Sequence, residues 1–456
     1  MPRRAGLVVI LPIAVAIGTA APSTPALFSS YDLATLQLEA SFAELIADGR
    51  ENDDHSVVAT VKPGGGQGAA IENVRISLRG HTSRRETECA FPKLKLHFST
   101  PPRDGLFAGV RSVKVGTHCG ESTGETLTPR FGRLPNETSP LREAFVYRLL
   151  DALQVPTLKA RPARITYVQT GGGQQPLVRN AMLLEDDDDA RARHGADREI
   201  DATAFSNAKD EFKPADTAQI AFAEALIGNF DWCLKLTADD TYRCDARRIL
   251  WNVMALRGGG RTFPLIYDFD VTGMVAGRHL WFADVYNAAF VNSRSQAEIE
   301  VLGQLQRTRA LFPREVLDAT RSRFMARKAD AYRALQQAPL DDAGRRRIQE
   351  YADAFYNAIG SESAFYRPVV TAPDTMPYTT AERTAVVCPD RGAIPIGTAV
   401  SDSIATRGSM IQVTLLDTQW NWATPVKCPE IHKGAVWIES RALSRDFPKA
   451  TAATNR

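Results

Sequence analysis

The sequence predicts an α+β chain with a strand-rich first half gathered around one helix, a helical second half and a small all-β unit at the end. Three observations carry this. Period-two alternation of apolar side chains recurs through residues 36–185, the mark of half-buried strands. From Ser295 to Ile359 apolar residues return at three- and four-residue steps, the helical period. From Thr380 to Leu443 short apolar runs alternate with turn residues.

Composition narrows the classes. A length of 456 residues exceeds one ordinary domain and predicts two folded units. Hydrophobic content of 44% with 24% charged residues is globular. A net charge of +2 without a basic stripe excludes nucleic acid as an expected partner. Arg3-Arg4, an apolar run from Ala5 to Gly18 and the small residues Thr19-Ala20-Ala21 read as a secretory signal peptide over residues 1–21, with an uncleaved anchor as the alternative. No other stretch is long and apolar enough to span a bilayer, so the expected product is exported, periplasmic or extracellular, without a stable transmembrane span after cleavage. Six cysteines form three local couples, Cys89/Cys119, Cys233/Cys244 and Cys388/Cys428. Disulfides within each couple are expected; zinc ligation is the alternative, unsupported by any CxxC or Cys/His spacing.

The elements follow in order. Leu36 and Leu38 open a first strand that runs into a short helical piece near Phe42–Ile46. PGGGQG at 63–68 is a glycine-rich turn between VVATVK and IENVRISLRG; it lacks the GxGxxG spacing of a phosphate loop, so a hairpin turn is the simpler account. RGHTSRR at 79–85 interrupts the alternation, and its arginines suit phosphate or plain surface charge. In FPKLKLHF, Leu94, Leu96 and Phe98 share one face while Lys93, Lys95 and His97 share the other. LREAFVYRLLDAL at 141–153 is an amphipathic helix with a stripe of Leu141, Phe145, Leu149 and Leu150, stopped by Pro156. RITYVQT and VRNAMLLE then pair across a TGGGQQP turn, and the Asp186–Asp189 run reads as solvated loop.

The chemistry concentrates between Ile227 and Gly273. Gly228-Asn229 stops an apolar helix, which puts Asp231 on the loop just beyond its end. Residues 247–254 and 262–267 read as strands joined by the turn RGGGR. Asp268 and Asp270 leave the second strand with both carboxylates on one side and Phe269 on the other. Such a pair suits Mg²⁺, Mn²⁺ or Ca²⁺. In phosphoryl transfer one carboxylate orients or deprotonates the acceptor hydroxyl while an Asn and a second Asp hold metal ions. Asp231, Asn252 and Asp268 occur in that order, although each also suits a turn or cap.

GNFDW followed by a strand pair and YDFD resembles the spore-coat-type CotH kinase family, secreted proteins with an atypical protein-kinase fold. RGHTSRR, FPKLKLHF and LREAFVYRLLDAL resemble that family's preceding segments in the same order, so the likeness spans about residues 28–360. The resemblance implies a bilobal kinase-like unit over 27–365, with a β-rich N-lobe and a helical C-lobe. It implies ATP with Mg²⁺ or Mn²⁺, Asp231 as catalytic base, and Asn252, Asp268 and Asp270 at the metal. Lys95 becomes the phosphate contact, with Glu143 as its helix partner and Arg79 nearby. Residues 366–379 are proline-rich and read as a linker. The ending VWIESRAL resembles the close of bacterial SH3-like domains, implying a small SH3-like barrel over 380–446, where Trp420 and Trp422 are either ligand-binding or core.

The leading expectation is therefore an exported, metal-dependent kinase acting on a protein hydroxyl. A non-catalytic envelope protein that uses the same scaffold to bind a cell-wall component or protein is the alternative; a metal-dependent hydrolase is a third.

Overall fold

The computed structural model describes residues 25–236, 249–277, 295–387, 389–416 and 435–446. The expected signal peptide, Cys244, Cys388, Cys428, Trp420 and Trp422 lie outside the described residues.

The alternation closes into a barrel. Strands β1 (Ala34–Ala40), β2 (Ser56–Pro63), β3 (Ile71–Leu78), β4 (Leu94–His97), β5 (Ser112–Gly116), β6 (Ala160–Gln169) and β7 (Leu177–Glu185) run in the order β1-β2-β3-β4-β5-β7-β6. Every neighbouring pair is antiparallel except the closing one, where β1 lies parallel to β6 with Leu36 opposite Ile165. Inward residues such as Leu38, Val61, Ile76, Leu96, Val113 and Leu183 are fully buried in one core cluster. Closure leaves no unpaired edge among these seven strands. PGGGQG is the β2–β3 turn, as the simpler account held.

Helix α1 (Phe42–Gly49) follows β1, and α2 (Ser139–Ala152) packs on β6 and β7. The apolar stripe of α2 is present, but its other face is covered too: Arg142 and Glu143 are buried along with Phe145, Leu149 and Leu150. The helix lies between the barrel and the helical half, so neither face is left to water. Arg142 reaches Asp341 at 3.1 Å and Glu125 at 2.9 Å, which fastens α2 to the far half.

Past β7 the Asp run departs from expectation. Asp186 is buried and caps α3 (Asp187–Arg193), so the acidic run forms a helix start rather than a solvated loop. Acidic side chains there meet the positive end of the helix dipole. A three-stranded sheet then forms from β8 (Arg198–Ile200), β11 (Val253–Gly258) and β12 (Arg261–Ile266), with α4 (Ala202–Ala208) and α5 (Pro214–Ile227) beside it. The short strands β9 (Cys233–Leu234) and β10 (Leu250–Trp251) pair with each other. The expected strand over 247–254 is thus divided: β10 stops at Trp251, Asn252 turns with φ 51°, and β11 restarts at Val253. Its hairpin to β12 turns tightly on Gly259-Gly260.

Helices Gln296–Leu311, Arg314–Ala326, Lys328–Gln336 and Asp342–Ile359 complete the second core around α5, with Phe222, Phe324 and Phe355 at its centre. Pro313 is the N-cap of Arg314–Ala326, and Arg327 separates that helix from Lys328–Gln336. No helix among the described residues is long and apolar enough to cross a membrane.

At the C-terminal end, Ala405–Arg407, Met410–Thr414 and Ala435–Glu439 form a three-stranded antiparallel sheet. Val369–Val370, inside the expected linker, pair with Leu443–Ser444 and are fully buried, so that segment is packed rather than free. Of the short apolar runs expected as strands after Thr380, the described residues of 382–387 and 394–401 form isolated bridges, such as Val400 to Leu415, and no named strand. Cys89 and Cys119 form the expected disulfide, with Cα atoms 4.5 Å apart. Cys233 is also disulfide-bonded.

Candidate functional site

The barrel, the three-stranded sheet and the end of α5 enclose a cleft of about 1120 Å³. Arg79, Lys95, Asp231, Asn252 and Asp268, all singled out from sequence, line it. Glu143 and Asp270 stand just behind its wall, joined to it through Lys93.

Two catalytic candidates come from the β10–β11 side. Gly228 ends α5 in the left-handed conformation, and Asp231 follows three residues on. Its backbone N–H donates to Asn229 Oδ1 at 2.9 Å. Trp251 Nε1 donates to Asp231 Oδ1 at 3.1 Å, and Asn252 Nδ2 donates to the Asp231 carbonyl at 2.6 Å and to Oδ2 at 3.1 Å. Asn252 therefore spends its amide nitrogen on Asp231.

Asp268 comes from the strand next door, where the Tyr267 N–H donates to the Asn252 carbonyl at 3.2 Å. Strand alternation predicts Asp268 and Asp270 on one side. β12 in fact ends at Ile266, and Asp268 has φ 64°. A left-handed turn, not a pleat, brings the two carboxylates together. Phe269 is buried against Tyr147 with ring centroids 4.7 Å apart, and the Tyr147 hydroxyl accepts from the Asp268 N–H at 3.0 Å. Positive φ at a non-glycine residue costs of order 1–3 kcal/mol, and Asn252 and Asp268 both carry it.

Lys93 lies between the carboxylates, with Nζ 3.0 Å from Asp268 Oδ1 and 2.8 Å from Asp270 Oδ2. Arg133 also pairs with Asp270 and donates to Thr82. Burial alone would raise the Asp268 carboxyl, but Lys93 and Arg133 outweigh it and hold it well below the usual carboxylate range. Glu143, buried on α2, has Lys93 as its first electrostatic partner, and burial pushes its carboxyl up.

This corrects the pairing of Lys95 with Glu143. Lys93 and Lys95 do share a face of the barrel, but Lys95 Nζ binds Asp186 at 2.7 Å nearer the surface. Ser112 Oγ donates to the same carboxylate at 2.8 Å, and Lys114 pairs with Asp187 beside it. Lys93 is the deeper cation and the one beside Asp268 and Glu143. Asp270, expected as a metal ligand, is committed to Lys93 and Arg133. The arginines of RGHTSRR also divide. Arg79 and Arg85 line the cleft, whereas Arg84 turns away to Asp53 and to the Leu78 and Gly49 carbonyls.

Sequence reasoning missed Lys93, Arg133, Tyr147 and Trp251. Lys93 had a signal, since it alternates in phase with Lys95. Arg133 had none: it lies on an irregular segment between β5 and α2 whose path no periodicity reports.

The inner wall is apolar, with Leu158, Leu184, Val253 and Tyr267, while Arg79, Arg85, Lys95, Arg130 and Arg133 give the cleft a cationic side. Apolar lining with a few convergent charges is the ordinary make-up of a site for a small anionic ligand. A divalent cation fits the chemistry of an Asp268 carboxylate and an Asn252 side-chain oxygen, hard donors on two residues that line the cleft. Among the described residues, the one group of three acidic or histidine ligands close enough to share an ion is Glu44, Asp48 and His55, on the barrel surface away from this cleft.

No family model matches the chain, and no curated protein matches it. Among solved structures, the chain is similar to the proinflammatory kinase CtkA of Helicobacter pylori, with a TM-score of 0.30 and 10% identity, covering 58% of this chain and 90% of that one. It is also similar to a chain of the Shewanella oneidensis MR-1 HipA–HipB toxin–antitoxin system in complex with its operator DNA, with a TM-score of 0.29 and 12% identity, covering 59% of this chain and 62% of that one. Likenesses of this size assign neither family nor activity.

Proposed function

We propose that the cleft binds a nucleotide with Mg²⁺ or Mn²⁺ and transfers its terminal phosphoryl group to a protein hydroxyl, in the manner of a CotH-like atypical kinase. The observation that carries this reading is the position of Lys93. It sits against Asp268 with Glu143 beside it on α2, in the cleft that Asp231 and Asn252 also line. A buried lysine that can contact phosphates, a helix glutamate beside it, a metal-binding aspartate and a base–asparagine pair are the parts phosphoryl transfer needs.

Each residue has a definite task. Lys93 meets phosphate oxygens deep in the cleft, with Lys95 and Arg79 nearer the mouth. Asp268 and Asn252 would hold the cation, which supplies neutralisation of charge on the phosphates. Asp270, itself paired with Arg133, keeps Lys93 in place. Asp231, oriented by Trp251 and Asn252, takes the proton of the acceptor hydroxyl as that oxygen bonds to phosphorus and the bridging oxygen leaves with the nucleoside diphosphate. The apolar wall of Leu158, Leu184, Val253 and Tyr267 suits a nucleobase.

The proposed setting is outside the cytoplasm. The Cys89–Cys119 disulfide belongs to oxidising compartments, and the N-terminal sequence reads as an export signal. The C-terminal β-unit would be the SH3-like module. The test is transfer of radiolabelled phosphoryl to a generic acceptor protein. Asp231→Asn is expected to lower turnover by about 10²–10⁴-fold with nucleotide affinity unchanged. Equal turnover in both proteins would remove Asp231 from the chemistry.

One observation favours a second reading. Lys93 is already neutralised by two carboxylates, as in a salt-bridged scaffold that binds an envelope component and no nucleotide. Nucleotide binding separates the two.

A further inference from the structure

We propose that Phe230 is a positioning residue through which the C-terminal β-unit fixes the place of Asp231; the role of Asp231 rests on the phosphoryl-transfer reading above. The segment from Gly228 to Trp232 is anchored in several directions. Gly228 lies against the Tyr351 ring, where an added Cβ would sit 2.3 Å from a ring carbon. The Asn229 carbonyl accepts from Gln304 Nε2, on the helix Gln296–Leu311. Trp232 enters the large core around α5. Phe230 goes elsewhere. It is 3% exposed and packs in a separate cluster with Val370, Val400, Val413, Val436 and Ile438 of the C-terminal unit.

That unit is itself held firmly. Arg309, buried on the helix Gln296–Leu311, donates to the carbonyls of Arg367 (2.9 Å) and Arg445, which flank the unit at either end. Ile299 of the same helix joins the Phe230 cluster. Asp231, by contrast, lies in no helix or strand. Its backbone N–H and carbonyl are satisfied by the side chains of Asn229 and Asn252. The buried Phe230 ring, one residue earlier, adds an apolar anchor to these polar bonds and to the Trp232 ring one residue later. The C-terminal unit thus adds to the support of the catalytic loop, and a shift of the unit is passed to Asp231 through Phe230. Misplacement of a reacting group by about 1 Å costs about 10²-fold in rate.

The experiment compares full-length wild type with Phe230→Ala, Phe230→Leu and Val400→Ala, the last within the β-unit and away from the cleft. Three quantities are measured: nucleotide affinity, kcat for phosphoryl transfer, and the indole N–H resonance of Trp251, which donates to Asp231. Phe230→Ala is expected to lower kcat about 10- to 100-fold, to leave nucleotide affinity within about twofold and to move the Trp251 resonance. Phe230→Leu is expected to restore most of both, and Val400→Ala to move them in the direction of Phe230→Ala by less. An unmoved Trp251 resonance in Phe230→Ala and Val400→Ala overturns the proposal, as does a loss of nucleotide affinity that matches the loss of kcat. If Phe230→Ala fails to fold, Phe230→Leu and Val400→Ala decide by the same criteria. If wild type shows no transfer at all, the kinase reading fails, and the Trp251 resonance still decides whether the β-unit positions this loop.

Discussion

Lys93 and Lys95 differ by two residues and by their whole electrostatic setting. Lys93 is buried between two carboxylates, whereas the Lys95 side chain is 39% exposed and shares Asp186 with Ser112. Removing one partner of a buried ion pair costs about 3–5 kcal/mol; the half-exposed Lys95 costs less to remove, because the buried Asp186 keeps Ser112 and the backbone N–H of Asp188 as donors. Lys93→Met is therefore expected to lower stability near the bottom of that range and to abolish nucleotide binding. Lys95→Met is expected to leave the fold intact and weaken binding partially. Denaturant titration with calorimetry on the two variants checks this, and identical behaviour would refute the assignment.

His118 gives the residue scale a pH dependence. Burial pushes its imidazolium down to about 4, with Glu121 at 3.1 Å only partly offsetting this. The unfolded chain has an imidazole near 6.5, so between about pH 6.5 and 4 the unfolded state binds more protons. The stability gained by keeping His118 neutral is present above that window and lost as pH falls through it, by about 3 kcal/mol in full. Chemical denaturation of wild type against His118→Gln at pH 7 and pH 4 is expected to show a smaller acid loss in the variant.

At the scale of elements, the two catalytic segments share one support. The Gly273 N–H donates to the Gly228 carbonyl at 3.0 Å, and Tyr351 packs against both glycines. A Cβ on Gly273 would sit 2.0 Å from the Tyr351 hydroxyl oxygen. Gly273→Ala is expected to cost about 1–3 kcal/mol and to impair the site by moving the Asp268 and Asp231 segments together. A second substitution, Tyr351→Leu, is expected to recover part of the turnover lost; Gly273→Ala with wild-type stability would show that the packing yields freely.

Much of this was legible from local pattern, and what was not depended on distant contacts. Alternation in FPKLKLHF fixed which face the lysines share. Their depth depended on barrel closure by the parallel pairing of β1 with β6 across more than a hundred residues of chain. The helix stop at Gly228-Asn229 placed Asp231 correctly because Gly at a helix end has a local physical meaning. The Asp268–Asp270 pair was read on one side for the wrong reason, since a left-handed turn has no sequence signal when Asp occupies it. Asp186 was misread because an acidic run looks alike as solvated loop or helix start, and only Lys95, Ser112 and Lys114 from the barrel distinguish them.

For the whole molecule, the barrel supplies cations, the helical half supplies Asp231, Asn252 and Asp268, and α2 between them carries Glu143. The C-terminal unit reaches the same site through Phe230. The account stands on the cleft being a nucleotide site, and the direct measurement is calorimetric titration of ATP in the presence and absence of Mg²⁺ or Mn²⁺ with wild type and Asp268→Ala. Metal-dependent binding in wild type, lost in a folded Asp268→Ala protein, is the predicted result. A folded wild type that binds no nucleotide with either metal would contradict it and leave the salt-bridged scaffold as the reading of this cleft.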